Sequence, residues 1–346
     1  MKIKEIKYKI EPNIVSLIVT DECTASCTNC CFNCSPKKGT SMTTEEAKQY
    51  IQNGFDAFKT LKLVVLTGGE PFLLGINSLS KIIEYAKSLN LQSRIVSNAF
   101  WANTPERTAE YINTLVRVGL REINFSTGFE HQKYVNADNI VNACIESVKA
   151  NLTVVVNVEY HDNSDFNSLC FLEDKRYKEF FSNKENANKI KIIKSLWSSL
   201  DDKNETEYNK DGVELLNNIT KGCNSIFKSY SVFPNGDLAA CCGLTVSKIE
   251  HFKLGNLKKE DIKSLYENQY SSFINLWLKI EGSYKILEYL ETKEPEIKKL
   301  PRNHMCQACN YLFNNQIVRE AVSKYYIEKI PEVLFKYQIN KKLKNL

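Results

Sequence analysis

The chain has 346 residues, 43% of them hydrophobic and 25% charged, proportions that exclude an intrinsically disordered protein. Its net charge of +5 is spread over short lysine groups such as Lys37 and Lys38, or Lys298 and Lys299, too little and too diffuse for a nucleic-acid-binding surface. The charged start has no apolar run behind it and no stretch of about 18 apolar residues occurs, so neither secretion nor a membrane span is expected.

Residues 14–20 (IVSLIVT) read as a short buried strand. Thr43-Thr44-Glu45-Glu46 is a capping box that opens a helix to about residue 58. Strands are then expected at 63–66, 94–96, 122–125, 153–158 and 190–193. Helices are expected between them at 78–89, 104–118, 137–150 and 172–181. Strands separated by helices of about 10–15 residues make βαβ units and a parallel sheet. Six such units predict an α/β fold, a partial (β/α)6 TIM-like barrel, whose chemistry sits at the C-terminal ends of the strands.

After about residue 195 the alternation stops. Residues 199–209 (SLDDKNETEYN) read as a linker or exposed loop. Residues 230–233 and 238–241 flank Pro234-Asn235-Gly236-Asp237, a hairpin signal. From about 260 onward the pattern is helical, with interruptions expected near Pro295, Pro301 and Pro331 and an amphipathic helix at 311–326. The second part therefore reads as a small α+β domain over 221–315 with a helical tail, 316–346, after a first domain of 1–200. The basic end, Lys341, Lys342 and Lys344, reads as a solvated terminus or as a patch for an acidic peptide or an electron donor.

There are 12 cysteines, well below the ~8–10% of a disulfide scaffold. With no secretory signal, a reducing cytoplasm is expected, and clustered thiols there point to metal or catalysis. Cys23-x3-Cys27-x2-Cys30 follows directly on the first strand. Three thiolates can hold an iron–sulfur cubane while leaving one iron open. A zinc knuckle on Cys27, Cys30, Cys31 and Cys34 is the competing reading. Thr67-Gly68-Gly69-Glu70-Pro71 follows directly on the second strand, where glycines admit close backbone approach and a carboxylate can hold an ammonium group.

Together these two motifs resemble the radical S-adenosylmethionine superfamily. The resemblance implies a [4Fe–4S] cluster on Cys23, Cys27 and Cys30 whose open iron chelates S-adenosylmethionine. It implies reductive cleavage of that molecule to a 5′-deoxyadenosyl radical. It places the methionyl amine at Gly68, Gly69, Glu70 and Pro71, the ribose near Asn98, and the methionyl carboxylate near Ser126, in the stretch INFSTGFEHQKY. His131 in that stretch reads as a capping or surface histidine. One departure stands out. Where the family has an aromatic residue before its third cysteine, this chain has Asn29, and Phe32 follows two residues after that cysteine.

Cys223, Cys241, Cys306 and Cys309 can close on one four-thiolate site. They resemble the twitch, or SPASM-like, domain that carries an auxiliary [4Fe–4S] cluster, with a structural zinc as the plainer reading. No cysteine follows Cys309, so one auxiliary cluster is expected, making two in all. Cys144 reads as core packing, as do Cys31 and Cys34. Cys242 is surplus beside a ligand. The stretch CTASCTNCCFNCSP is similar to radical S-adenosylmethionine peptide epimerases, a resemblance that implies a cysteine returning hydrogen to a peptide radical; Cys242 is the candidate donor, with plain burial or substitute cluster ligation as the alternatives. The implied partners are a ribosomal precursor peptide and a flavodoxin- or ferredoxin-type electron donor. Only 13 residues precede the first strand, too few for a leader-binding domain, so either the barrel mouth holds the peptide or a separate leader-peptide-binding protein does. Peptide crosslinking and small-molecule dehydrogenation are the alternative reactions. An iron–sulfur electron carrier or a zinc-binding module is the alternative outside enzymes.

Overall fold

The computed structural model describes residues 8–161, 164–197, 221–300 and 304–343. The linker expected at 199–209 lies outside the described residues, as do Pro301 and Lys344. The described chain divides into two compact units, one of residues 13–197 with 232–236, the other of the remainder.

The first unit alternates strand and helix: β1 (Ile14–Thr20), α1 (Thr44–Ala57), β2 (Leu63–Gly68), α2 (Ile76–Ser88), β3 (Gln92–Ser97), α3 (Pro105–Val118), β4 (Glu122–Gly128), α4 (Ala137–Lys149), β5 (Thr153–Tyr160), α5 (Lys175–Phe181), α6 (Lys184–Ala187) and β6 (Ile190–Leu196). The strands lie in sequence order and every neighbouring pair is parallel. This is the partial barrel that the βαβ pattern predicts. The capping box forms: Thr43 Oγ1 accepts from Glu46 N, and Glu46 reaches back to Thr43 N. Alternation along the strands sets the two faces. On β4, Ile123 and Phe125 are fully buried while Asn124 and Ser126 are half-buried. On β5, Val154, Val156 and Val158 are buried while Asn157 and Glu159 are half-buried. Cys144 is buried on α4 among apolar residues, as core packing requires.

The second unit holds most of β7 (Ser229–Val232), with β8 (Asp237–Ala239), β9 (Lys253–Asn256), α7 (Ile262–Glu267), α8 (Phe273–Glu291), α9 (Met305–Asn314) and α10 (Gln316–Lys342). β8 and β9 are antiparallel. Trp277, Tyr230, Tyr266, Phe227 and Phe273 are its largest fully buried side chains.

Four sequence expectations are corrected. The helix expected at 172–181 is two pieces, because Asp174 caps α5 by accepting from Arg176 N and so ends a 3-10 turn over Cys170–Glu173. The helix expected at 311–326 breaks at Asn315, whose side chain accepts from Val318 N and starts α10. Pro331 interrupts nothing and sits inside α10, where Lys329 and Lys336 both bridge to Glu281 and Glu332 across it. β4 runs on to Gly128, so Ser126 lies within the strand and not at its end. Among the described residues no helix is long and apolar enough to cross a membrane.

Candidate functional site

The loop after β1 is fastened at both ends before it presents any thiol. Asp21 N donates to Thr40 O at 3.0 Å and Cys23 N to Ser35 O at 3.3 Å. Gly69 N donates to Thr20 O at 2.8 Å, and Glu70 N to Glu22 O at 2.9 Å. These bonds explain the two glycines. A Cβ on Gly69 would stand 1.9 Å from Glu22 O, and one on Gly68, whose φ is +134°, would stand 2.5 Å from Thr20 O. The close approach that requires Gly68-Gly69 is thus to the cysteine loop itself.

The same loop is held from three further strand ends. Asn98 follows β3 and is buried; its Nδ2 donates to Thr24 Oγ1 at 3.0 Å and reaches Cys23 Sγ at 3.7 Å. Glu130 follows β4 and accepts from Thr28 N at 3.0 Å and from Lys133 Nζ at 2.6 Å. Glu159, near the end of β5, accepts from Asn29 Nδ2. Tyr134 Oη donates to Ser26 O at 2.8 Å. Asn29 is the position at which this chain departs from the family pattern, and here it serves as an anchor. Phe32 packs edge-on against Phe233, with ring centroids 5.9 Å apart. Glu130, Glu159 and Tyr134 were not foreseen from sequence. The signal for Glu159 was a carboxylate at a strand C-terminus.

Glu70 is fully buried. Its carboxylate accepts from Ser97 Oγ at 2.9 Å, Phe72 N at 3.1 Å and Asn98 N at 2.7 Å. Burial pushes its pKa up to about 7, although these three bonds act the other way. The carboxylate therefore pins the end of β3 to the turn after β2, and Pro71 starts that turn. His131 is half-buried; burial pulls its pKa down to about 4, and its Nδ1 stands 4.0 Å from Glu159 Oε2.

The three thiols of the loop sense one another. Cys27 is pushed up to about 12 by burial, then by Cys30, Glu159 and Cys23. Cys23 is pushed up to about 11, again chiefly by burial, with Cys30 among the causes. Cys30 is pulled down, chiefly by its bond with Cys34, whose own thiol is pushed up. Cys34 is thus bonded to a member of the trio. Among the described residues, no three His, Cys, Asp or Glu side chains stand as close as one chelated ion requires. A cubane spreads its ligands over its corners, and three mutually repelling, desolvated thiols suit such a cationic centre.

The second set is built around a kink. α8 turns at Gly282, whose φ of +80° and ψ of 164° interrupt the helix. A Cβ there would stand 2.3 Å from Lys221 O. The kink lets the segment before Cys223 lie along the helix, with Cys223 N donating to Leu278 O at 2.9 Å. Cys241 follows β8, and Cys306 and Cys309 lie on the first turns of α9. Cys306 is pushed up to about 12, and Cys241 and Cys309 further up, each by burial first and then by the other thiols of the set. Gly243 lies against two of these thiols, since a Cβ there would stand 3.1 Å from Cys306 Sγ and 3.5 Å from Cys241 Sγ. Thiols that sense one another in this way would suit a cluster of soft metal. Cys242 is exposed beside them. Its Sγ accepts from Ser229 Oγ at 3.2 Å and lies 3.3 Å from Ser225 Oγ. Neither serine was singled out from sequence.

Parallel βα units with three thiols after the first strand, and a second unit with four, are an arrangement that can take iron–sulfur clusters. Residues 17–158 match the radical SAM superfamily, and residues 223–310 match the SPASM iron–sulfur cluster-binding domain, a span that begins on Cys223 and closes just after Cys309. Residues 17–158 thus carry a radical SAM domain and residues 223–310 a SPASM domain; S-adenosylmethionine and a [4Fe–4S] cluster go with the first kind of domain and further iron–sulfur with the second. It is 30% identical over 135 residues to "Putative peptide biosynthesis protein YydG" of Bacillus subtilis (strain 168), a match spanning 39% of this chain and 42% of that protein. The chain thus spans less than half the length of that curated relative. Its fold resembles native anSMEcpe with bound AdoMet (TM-score 0.55, 14% identity, 92% of this chain and 99% of that one). It also resembles native anSMEcpe with bound AdoMet and Cp18Cys peptide (TM-score 0.55, 15% identity, 94% and 99%).

Proposed function

We propose that this enzyme modifies a ribosomally synthesised peptide, and that the modification is L-to-D epimerisation. The relative named for peptide biosynthesis supports the peptide. The exposed thiol of Cys242, surplus to Cys223, Cys241, Cys306 and Cys309, is the observation that carries the reaction type.

When bound, S-adenosylmethionine and a reduced cluster supply one hydrogen-abstracting equivalent. Cys23, Cys27 and Cys30 would hold that cluster. The backbone of Gly68 and Gly69 would face the methionyl amine, with the Glu70 carboxylate bracing the turn beneath. Asn98 would serve the ribose and Ser126 the methionyl carboxylate. Cys223, Cys241, Cys306 and Cys309 would hold the auxiliary cluster. A peptide Cα that has lost its hydrogen would take one from the Cys242 S–H on the opposite face. The sulfur left with an unpaired electron then needs one electron and one proton to reset, so a flavodoxin- or ferredoxin-type donor is part of the proposal. A separate protein that binds the leader peptide is a further proposed partner, and the cytoplasm the proposed location.

In heavy water, wild type should place one solvent deuterium on each D-residue, read by mass spectrometry and chiral amino-acid analysis. Cys242→Ala should still yield 5′-deoxyadenosine but no D-residue. An alanine variant that makes D-residues at wild-type yield would remove Cys242 from the mechanism. A product two hydrogens lighter, without solvent label, would replace epimerisation by crosslinking or dehydrogenation.

A further inference from the structure

The second unit carries a pocket of about 260 Å³ that the cluster chemistry does not use. Its lining includes Lys253 and Leu254 of β9, Gln269, Ser272, His251 and Asn275. One wall is satisfied internally, because His251 Nε2 bonds Asn275 Oδ1 at 2.8 Å and lies 3.4 Å from Ser272 Oγ. Gln269 differs. It is only 3% exposed, and both Oε1 and Nε2 are buried without a hydrogen-bond partner. Leaving a buried donor and acceptor unmade is costly, and a native structure keeps such a group for a reason.

The chemistry of the orphan group narrows the ligand. An anion would satisfy only Nε2 and a cation only Oε1. Another amide satisfies both, by a pair of opposed hydrogen bonds. The neighbouring strand favours the same ligand. Among the described residues β9 is the last strand in the sheet order, and an edge strand can take an added strand. We infer that this pocket binds a stretch of extended peptide backbone, lying along β9 with one amide paired to the Gln269 carboxamide. Because Cys241 and Cys242 follow shortly on β8, the partner of β9, the docked chain would lie along the sheet whose strand leads to the proposed hydrogen donor. The inference deepens the peptide reading above and rests on it for the identity of the guest.

A capped, fluorescein-labelled Ala-Ser hexapeptide tests it by anisotropy on the cluster-loaded full chain under anaerobic conditions. Recognition through backbone amides predicts saturable binding despite the arbitrary sequence. Gln269→Leu should weaken it about tenfold, and Gln269→Glu, which keeps the shape but loses the donor, should weaken it too. A backbone N-methylated probe should bind neither form, and acetate should not compete. The leucine variant removes an unpaired buried amide, so its thermal midpoint should stay at or above wild type, which separates lost binding from lost folding. Equal affinity for wild type and both variants would overturn the inference, as would competition by acetate. If the enzyme epimerises a peptide with an unchanged KM in Gln269→Leu, the docking inference fails while the function stands. If the probe binds through Gln269 but no peptide is ever modified, the function fails while the pocket stands.

Discussion

Glu70 shows how a residue expected to greet a ligand is first committed to the protein. Its folded pKa of about 7 lies above the ordinary 4.5, because burial outweighs three hydrogen bonds. The folded state therefore binds the proton more tightly than the unfolded state, and the stability this contributes is full below about 4.5 and is lost as pH rises through about 7. Glu70→Gln cannot titrate. Thermal midpoints from pH 5 to 8 should fall in wild type relative to the variant, by the equivalent of roughly 3 kcal/mol at most. A constant gap across that range would show that the carboxyl stays charged throughout. Gly69 makes a sharper case. A methyl group 1.9 Å from Glu22 O cannot be accommodated without moving the cysteine loop. Gly69→Ala should lose the iron proposed for Cys23, Cys27 and Cys30 while keeping that proposed for the second set, read as about half the wild-type iron.

At the level of elements, the helix ends carry the most instructive differences. Asn315 accepts from Val318 N at 3.1 Å and starts α10. Asn315→Ala should remove about 1 kcal/mol, lowering the thermal midpoint by about 1–3 °C, and Asn315→Asp should restore it. Circular dichroism at 222 nm reads both. This break was hidden in the sequence because residues 311–326 keep an amphipathic rhythm straight through it; only the tertiary fold separates the two helices. The partial barrel was legible because each strand and helix of the first unit carries its own period and caps, from Thr43 to Thr104. The place of the cysteine loop after β1 and of Gly68–Glu70 after β2 was legible because both motifs follow short apolar runs. The anchors Glu130, Glu159 and Tyr134 were not, because each meets the loop from about a hundred residues away. The kink at Gly282 was equally silent, since an isolated glycine in a helical pattern does not reveal which backbone will press against it.

For the whole molecule, the two sets of thiols belong to different compact units. Cys23, Cys27 and Cys30 rise from one loop fastened within residues 13–197. Cys223, Cys241, Cys306 and Cys309 are gathered by β8, the kinked α8 and α9 of the other unit. The two proposed ligand sets lie in different units, so the two should load independently. Anaerobic reconstitution of the wild type should give about eight irons per chain. Replacing Cys23, Cys27 and Cys30 by alanine should leave about four, and so should replacing Cys306 and Cys309. Binding of metal by buried thiols is also folding free energy for the segments that supply them. Cys306→Ala with Cys309→Ala should therefore lower the thermal midpoint of the iron-loaded chain towards that of the iron-free chain, because α9 and the segment at Cys223 lose their common anchor. Loss of all iron from either variant, with circular dichroism unchanged, would mean that the sites are coupled and that the second unit is needed to assemble the first centre.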